Sequence, residues 1–554
     1  MNPVARAVPT VEERFGKDAV SRFRKMGWWK DGSLASLLDR WAGEVPTRRA
    51  VSDGVLELDY QTLRSRAYGL GQRLLALGVK RGDRVAMQLP NWTEAIVIYH
   101  AVSRIGCVLV PMMMIYRHAE VVQMLTNSGA SAAFATGKFR SFDHAAMFRE
   151  IAGKCPELKT LLMVREQTEG EEVDFEQASA AVTLSDAESL AAFGPYADPD
   201  APHMIIYTSG TESTSKGCVH TWNTFDFSLQ GLASEIFDVR PDDTMFVPSP
   251  VGHSTGLTHG VAVPQSRGAG VHLQEIWEPH EALRRIEAYR CTASASATPF
   301  VRMAIDAARE SSHDLSSMRT WLCSGAPVPV SLAEEFSRLF PNAQMLQLYG
   351  CSEIMMMTCC RRGDPVEMRA ATAGRIVLDG VEGKLVMEDG QVAGPGVEGE
   401  ILYRGPGAML GYWNDPQRTA SAVDAEGWYH TGDLGVFDEN GYLRVSGRLK
   451  DIIIRGGANI SASEVEGYVL KHPRVRDVAA VSYPDRRLGE RVCAYVVLKP
   501  GESLTLDELV DFLRIQQISP QKFPERLEIV GEFPMTPTGK VQKFRLRQMA
   551  RQTP

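Results

Sequence analysis

The residues best suited to chemistry lie in one run, Thr208-Ser209-Gly210-Thr211-Glu212-Ser213-Thr214-Ser215-Lys216-Gly217, directly after an apolar stretch ending at Tyr207. Hydroxyls, a glycine and one lysine placed after a strand can cradle phosphate. Backbone N–H groups and hydroxyls donate to the oxygens, and the lysine adds charge. The spacing is not that of a P-loop, since GxxxxGK[ST] is not met. Taken alone, the run reads equally as a polar surface turn. A second run, Gly252-His253-Ser254-Thr255-Gly256, matches the G-x-S-x-G nucleophile elbow of hydrolases. That reading makes Ser254 a nucleophile with a histidine as its base and has no use for ATP. Pro248 and Pro250 stand where the incoming strand belongs, which counts against it.

Four further segments follow the phosphate loop in order. They are Tyr349-Gly350-Cys351-Ser352-Glu353, Tyr429-His430-Thr431-Gly432-Asp433, Gly447-Arg448-Leu449-Lys450-Asp451 and Pro534-Met535-Thr536-Pro537-Thr538-Gly539-Lys540. With the loop they resemble the adenylate-forming superfamily: acyl- and aryl-CoA ligases, luciferases and peptide-synthetase adenylation domains. Gly399-Glu400-Ile401, Arg404-Gly405-Pro406 and Gly411-Tyr412 extend the resemblance, which runs from about residue 30 to 547.

The resemblance implies a role for each matching residue. Thr208, Ser209, Gly210, Thr211 and Lys216 hold the β- and γ-phosphates of ATP. Gly325, Ala326 and Pro327 line the adenine slot, with Tyr349 stacked on the ring and Gln347 near its edge, and Gly350 also belongs to the cofactor-binding residues. Ser352 bonds the α-phosphate, and Glu353, with Thr211, holds Mg²⁺. Asp433 and Arg448 contact the ribose, and Lys540 is a mobile catalytic lysine. Lys450 is the hinge, and Gly457 lines the tunnel for the pantetheine arm of coenzyme A. His253 lies near the substrate carboxylate, and Thr255, Gly256, Leu257, Cys323, Ser324 and Ile354 to Met357 wall the acyl pocket. The residue types suit these tasks: a carboxylate for hard Mg²⁺, and a compact ammonium where a carboxylate nucleophile meets an α-phosphoryl group.

The implied activity is that of an AMP-forming carboxylic acid:CoA ligase with ATP, Mg²⁺ and coenzyme A as cofactors. A stand-alone enzyme loading an acyl-carrier protein is the nearest alternative, and a non-catalytic nucleotide-binding protein a more distant one. Phe225-Asp226-Phe227-Ser228 imitates the amino-binding aspartate motif of amino-acid adenylation domains, but it follows Lys216 too closely. The family position of that aspartate is His253 here. The expected substrate is therefore a plain monocarboxylate, medium-chain, alicyclic or aryl. The Gly27-Trp28-Trp29 stretch and Glu212-Ser213 are similar to bacterial ligases of cyclohexanecarboxylate and medium-chain fatty acids. The loop departs from the family at Glu212, Ser213 and Ser215, and an acid beside phosphate must point away or find a base.

These residues need a scaffold. Ser33 before Leu34, Leu37, Leu38 and Trp41 predicts a capped amphipathic helix, and Tyr60 to Leu77 predicts another closed by Gly78. Ala95 to Ile105 reads as a core helix, followed by a strand over 107–110. Met112-Met113-Met114 is core filler or a flexible apolar wall. Short strands at Arg84–Gln88, 132–134, 203–207, 244–247 and 320–322 alternate with helical stretches, the pattern of α/β architecture with mainly parallel sheets. From Gly399 to Arg444 the texture turns to short strands and tight turns. The expectation is a large N-terminal domain over 1–449, with two α/β subdomains and a β-rich one. A small mobile C-terminal α+β domain over 450–554 follows.

The 554 residues are 44% hydrophobic and carry a net charge of −8, which argues against a protein built to coat nucleic acid. The charge is uneven: residues 451–554 hold 16 bases and 13 acids. The basic tail from Lys540 to Arg551 suits polyanionic ATP and coenzyme A. Nine scattered cysteines without a CxxC pair suit a reducing cytoplasm. The N-terminus lacks a secretory pattern and no stretch is long enough for a membrane span. Oligomeric state is open, a homodimer being compatible.

Overall fold

The alternation of apolar strands and amphipathic helices folds into two large sheets in the computed structural model. It describes residues 8–208, 215–324, 328–455, 458–485, 488–516, 520–536 and 540–552, with the side chains of 450, 458 and 459 left aside. The first sheet has nine strands, ordered Arg375–Ile376, Thr358–Cys359, Gln344–Tyr349, Thr320–Ser324, Ala293–Ala297, Thr244–Val247, Gly270–Leu273, Arg49–Ser52 and Glu57–Asp59. Its centre is parallel and its two margins antiparallel. The second has eight, ordered Gly411–Tyr412, Lys216–Thr221, Pro202–Thr208, Val108–Pro111, Arg84–Gln88, Ala130–Thr136, Thr160–Val164 and Val173–Asp174. It is parallel except where Lys216–Thr221 joins its two neighbours. The strands read from the sequence are present, some longer by one or two residues at an end, and the one expected over 107–110 is shifted by a residue to Val108–Pro111.

Local signals set the helices. The Ser33 hydroxyl accepts from the Ser36 N–H and starts helix Leu34–Glu44. Helix Tyr60–Ala76 ends where Gly78, at φ +90°, turns the chain so that its N–H reaches the Leu75 carbonyl. Helix Thr93–Arg104 is buried at every position and packs against strands of both sheets, which explains its membrane-like composition. Met112 and Met113 are buried in an apolar cluster with Phe148 and Val219, so they fill core. Trp29 is buried and donates to the Pro406 carbonyl at 3.1 Å.

The chain divides into two compact units, Met1–Glu382 with Tyr403–Tyr429, and Gly383–Leu402 with His430–Pro554. The four-stranded sheet Glu382–Val386, Glu398–Arg404, Tyr429–Phe437 and Leu443–Arg448 lies mostly in the second unit. The sequence grouped this β-rich segment with the large body. The second unit also contains a five-stranded sheet. Its central strand Gly489–Leu498 sends Val492, Ala494 and Val496 toward helices Ala462–Val469 and Leu506–Ile515. Cys493, Tyr495 and Val497 go to the opposite face, against helix Lys543–Gln552. That period of two is what a strand covered on both sides requires. The architecture is α/β, with a large N-terminal and a small C-terminal part.

Candidate active site

Lys216 opens the strand Lys216–Thr221, directly opposite Thr208 in an antiparallel pair. The phosphate loop is therefore the connection of a hairpin, and Ser209, Gly210 and Thr211 lie outside the described residues, as do Glu212 to Thr214. Thr208 ends its strand with a buried Oγ1 that has no hydrogen-bond partner among the described residues. A hydroxyl left in that condition at a phosphate loop fits an arriving phosphate oxygen. The Ser215 carbonyl is held from behind by the Gln123 amide at 2.8 Å.

Along the same strand, Lys216, Cys218 and His220 alternate onto one face, and all three reach the Ser352-Glu353 turn. The Lys216 Nζ lies 2.9 Å from Glu353 Oε1. The Cys218 thiol is buried beside the same carboxylate, and burial and the Glu353 charge push its pKa up. The His220 Nε2 donates to the Ser352 carbonyl at 2.7 Å, with Nδ1 3.1 Å from Thr224 Oγ1. Burial holds the His220 imidazole down at about 4, despite the Ser352 bond, so it works as a neutral donor at neutral pH.

The turn is held from its other side by the strand Gly411–Tyr412. Met409 N–H donates to the Glu353 carbonyl at 2.8 Å, and the Tyr412 hydroxyl donates to Glu353 Oε1 at 2.9 Å. Lys216 in turn donates to the Tyr412 oxygen at 2.7 Å and lies 4.6 Å from the ring centre. Burial alone would push the Glu353 carboxyl up. The Lys216 charge and the bonds from Lys216, Tyr412 and Cys351 outweigh it and hold the carboxyl down at about 2. A cleft of about 550 Å³, lined by Gln123, Asn127, Ser215, Lys216, Tyr412 and Arg418 among others, opens beside this cluster.

The turn itself is tight. Gly350 is required because a Cβ there would stand 2.1 Å from the Met355 carbonyl. Met355 takes φ +51°, the left-handed region that a side chain disfavours. Met355 and Met356 belong to the large apolar core. Tyr349 and Gln347 lie on the preceding strand, both buried. The Gln347 amide nitrogen is committed to the Arg369 and Ala370 carbonyls, so it does not offer its N–H groups to a ligand here. Gly325, Ala326 and Pro327 lie outside the described residues, just beyond Ser324, the last residue of its strand.

Leu257 and Gly256 are buried and His253 and Thr255 half-buried, at the start of a π-helix, Thr255–Ala262. A Cβ on Gly256 would meet the Pro250 carbonyl at 2.1 Å. Ser254 is right-handed helical, φ −53° and ψ −43°, at the N-terminus of that helix. The preceding strand ends at Val247, seven residues earlier. A nucleophile elbow needs a strained turn straight from strand to helix, so the hydrolase alternative fails on geometry.

In the second unit Asp433 and Arg448 are paired across adjacent antiparallel strands, Arg448 Nε donating to Asp433 Oδ1 at 2.9 Å. Asp433 is nearly buried and Arg448 half-exposed, so the aspartate comes oriented. Lys540 is exposed, and its backbone N–H donates to Thr536 Oγ1 at 2.9 Å. Lys450 lies in a short 3₁₀ turn, Leu449–Asp451, and Gly457 lies outside the described residues.

Comparison with known proteins decides the family. The family model described as AMP-binding enzyme matches residues 38–413, and that of the AMP-binding enzyme C-terminal domain matches 464–540. The chain belongs to the AMP-binding enzymes. A medium-chain fatty-acid–CoA ligase of Escherichia coli strain K12 is 36% identical to this AMP-binding enzyme, over 96% of the present chain and 93% of the relative. A salicylyl-CoA synthase / salicylate adenylyltransferase of a Streptomyces species is 32% identical over 97% of both chains. The anthranilate CoA ligase AuaEII, solved with anthranoyl-AMP, shares the fold at a TM-score of 0.82. It is 23% identical, over 94% of this chain and 97% of the other.

The residues present in this AMP-binding enzyme fit Mg²⁺ and ATP. Among the described residues no group of three or more His, Cys, Asp or Glu side chains is gathered to hold a metal. One ionised carboxylate with substrate phosphates and water is the usual arrangement for Mg²⁺, and Glu353 is such a carboxylate. Two contributors were not assigned roles from the sequence, His220 and Tyr412. The alternation Lys216, Cys218, His220 was the available signal for the first, and the Gly411-Tyr412 match for the second.

Proposed function

We propose that this chain is an AMP-forming carboxylic acid:CoA ligase for a medium-chain, alicyclic or aryl monocarboxylate. The observation that carries the reading is the Lys216–Glu353 pair, a cation from the phosphate loop 2.9 Å from a buried carboxylate held at about 2. The two groups serve opposite partners, phosphate oxygens and a divalent cation.

In the first half-reaction a carboxylate oxygen of the acid attacks the α-phosphorus of ATP and the bond to pyrophosphate breaks, leaving acyl-AMP. Lys216 and the Thr208 hydroxyl bind the terminal phosphates, and the neutral His220 keeps the Ser352-Glu353 turn in place. Glu353 would hold Mg²⁺, which would supply positive charge to offset the phosphate oxygens. Lys540 neutralises the carboxylate and α-phosphoryl oxygens as they meet. Asp433, oriented by Arg448, accepts from the ribose hydroxyls. In the second half-reaction the sulfur of coenzyme A attacks the acyl carbonyl and AMP leaves. The thiol proton passes to solvent. The exchange of Lys540 for Gly457 is a rotation about Lys450. Leu257, Ile354 and Met355 are apolar and buried, and the named relatives act on medium-chain and aryl acids, which supports the substrate class.

A panel of monocarboxylic acids, assayed for pyrophosphate and AMP with and without coenzyme A, tests the reading. Acid-dependent pyrophosphate with a thioester only when coenzyme A is present is the expected result. Pyrophosphate without any coenzyme A thioester would move the acceptor to a carrier protein, and ADP as the product would overturn the reading.

A further inference from the structure

We propose that Tyr412 is a positioning residue for Glu353: it holds one carboxylate oxygen in place while the other takes the divalent cation. The inference rests on the reading of Glu353 as the residue that meets Mg²⁺.

Glu353 Oε1 receives two donors, Lys216 Nζ and the Tyr412 hydroxyl, each at 2.9 Å, and Lys216 donates to the Tyr412 oxygen at 2.7 Å. The three groups close a triangle. Its members are not equivalent once nucleotide arrives. Lys216 would be drawn by the phosphates, and a cation held by Glu353 would replace it as the counter-charge. Tyr412 has neither pull. A tyrosine hydroxyl is protonated at neutral pH, so it remains an O–H donor. It is then the one neutral donor of the triangle left on Oε1, and a carboxylate fixed at Oε1 presents Oε2 in a set direction.

The backbone around Tyr412 is built to hold that hydroxyl still. Tyr412 is 2% exposed. Its N–H donates to Thr419 Oγ1 at 2.9 Å. Leu410 N–H and Trp413 N–H bond the Val219 and Gly217 carbonyls at 2.9 and 2.8 Å, on the strand that bears Lys216. Met409 N–H, three residues before Tyr412, bonds the Glu353 carbonyl. One short segment therefore grips both ends of Glu353, the carbonyl through Met409 and the carboxylate through Tyr412.

The test uses full-length protein and Mn²⁺ as the probe cation, with free Mn²⁺ counted by electron paramagnetic resonance in the presence of a non-hydrolysable ATP analogue. Glu353→Gln should abolish the bound fraction; if it does not, the assignment of Glu353 fails and the inference with it. Tyr412→Phe should weaken Mn²⁺ binding about tenfold, the worth of one hydrogen bond to a charged group. It should raise the KM for Mg-ATP in proportion and leave the KM for the acid unchanged. Thr419→Val, which frees the Tyr412 N–H without removing the hydroxyl, should act in the same direction and more weakly, and serves if Tyr412→Phe does not fold. Loss on Glu353→Gln with wild-type Mn²⁺ affinity in Tyr412→Phe overturns the inference alone. So does equal damage to the KM for acid and for Mg-ATP.

Discussion

Lys216 and Glu353, 137 positions apart in the chain, meet at 2.9 Å with the carboxylate 5% exposed and the ammonium 27% exposed. The Lys216 ammonium is held up by Glu353 against burial, and Glu353 is held down. Each therefore depends on the other, and the dependence is unequal because the acid is the more deeply buried member.

That inequality predicts a stability pattern. Lys216→Met leaves a buried carboxylate without its counter-charge and should destabilise the first unit by about 3 kcal/mol. Adding Glu353→Gln removes the stranded charge and should recover at least half of the loss. Urea unfolding followed by tryptophan fluorescence reads it. A double variant as unstable as the sum of the singles would contradict the pairing.

Acid should destabilise the first unit for a separate reason. Burial holds His100, His144, His220 and His259 down at about 4 and His203 and His272 at about 3. The folded form keeps these rings neutral, while the unfolded chain takes up protons below about pH 6.5. Their contribution is fully present above that value and is lost as pH falls toward 4. Each ring should cost about 1 kcal/mol between pH 7 and 5.5. Urea midpoints across that range should drop steeply, and His259→Leu should flatten the slope by one proton. Midpoints independent of pH would contradict the neutral rings.

His220→Phe removes the donor to the Ser352 carbonyl while keeping the ring volume. The turn that carries Glu353 loses one of its holds. The kcat/KM for ATP should fall about tenfold, with the KM for coenzyme A unchanged. Steady-state kinetics with each substrate varied in turn will show it, and an equal rise in every KM would point to general unfolding instead.

Much of this was legible from residue types and order. Lys216, Ser352 and Glu353 stand inside their motifs, and the strand ending at Thr208 was located to within a residue, whereas Lys216–Thr221 and Gln344–Tyr349, which position these three residues, were not read as strands. His220 and Tyr412 were not, because their roles exist only through pairing. His220 matters once the Ser352 turn lies beneath its strand, and Tyr412 meets Lys216 from 196 positions away. Gln347 looked free to meet a base, yet the carbonyls of Arg369 and Ala370 take up its amide, a contact that no local pattern announces. The grouping of the β-rich segment also depended on long-range contacts, since the chain crosses between the units more than once.

Lys540→Ala and Ser254→Ala separate the ligase from the hydrolase reading by activity. The first should lower acyl-AMP formation more than a hundredfold and still convert supplied acyl-AMP and coenzyme A to thioester. The second should stay within about threefold of the wild type. Quenched-flow product analysis with both variants decides it, and the reverse pattern would contradict the assignment.

The most direct test of the central claim is acid-dependent exchange of labelled pyrophosphate into ATP in the absence of coenzyme A. Attack of a carboxylate on the α-phosphorus is reversible at that stage, so label should enter ATP only when a suitable acid is present and should be lost in Glu353→Gln. Exchange that requires coenzyme A, or label that enters ATP without any acid, would contradict the account.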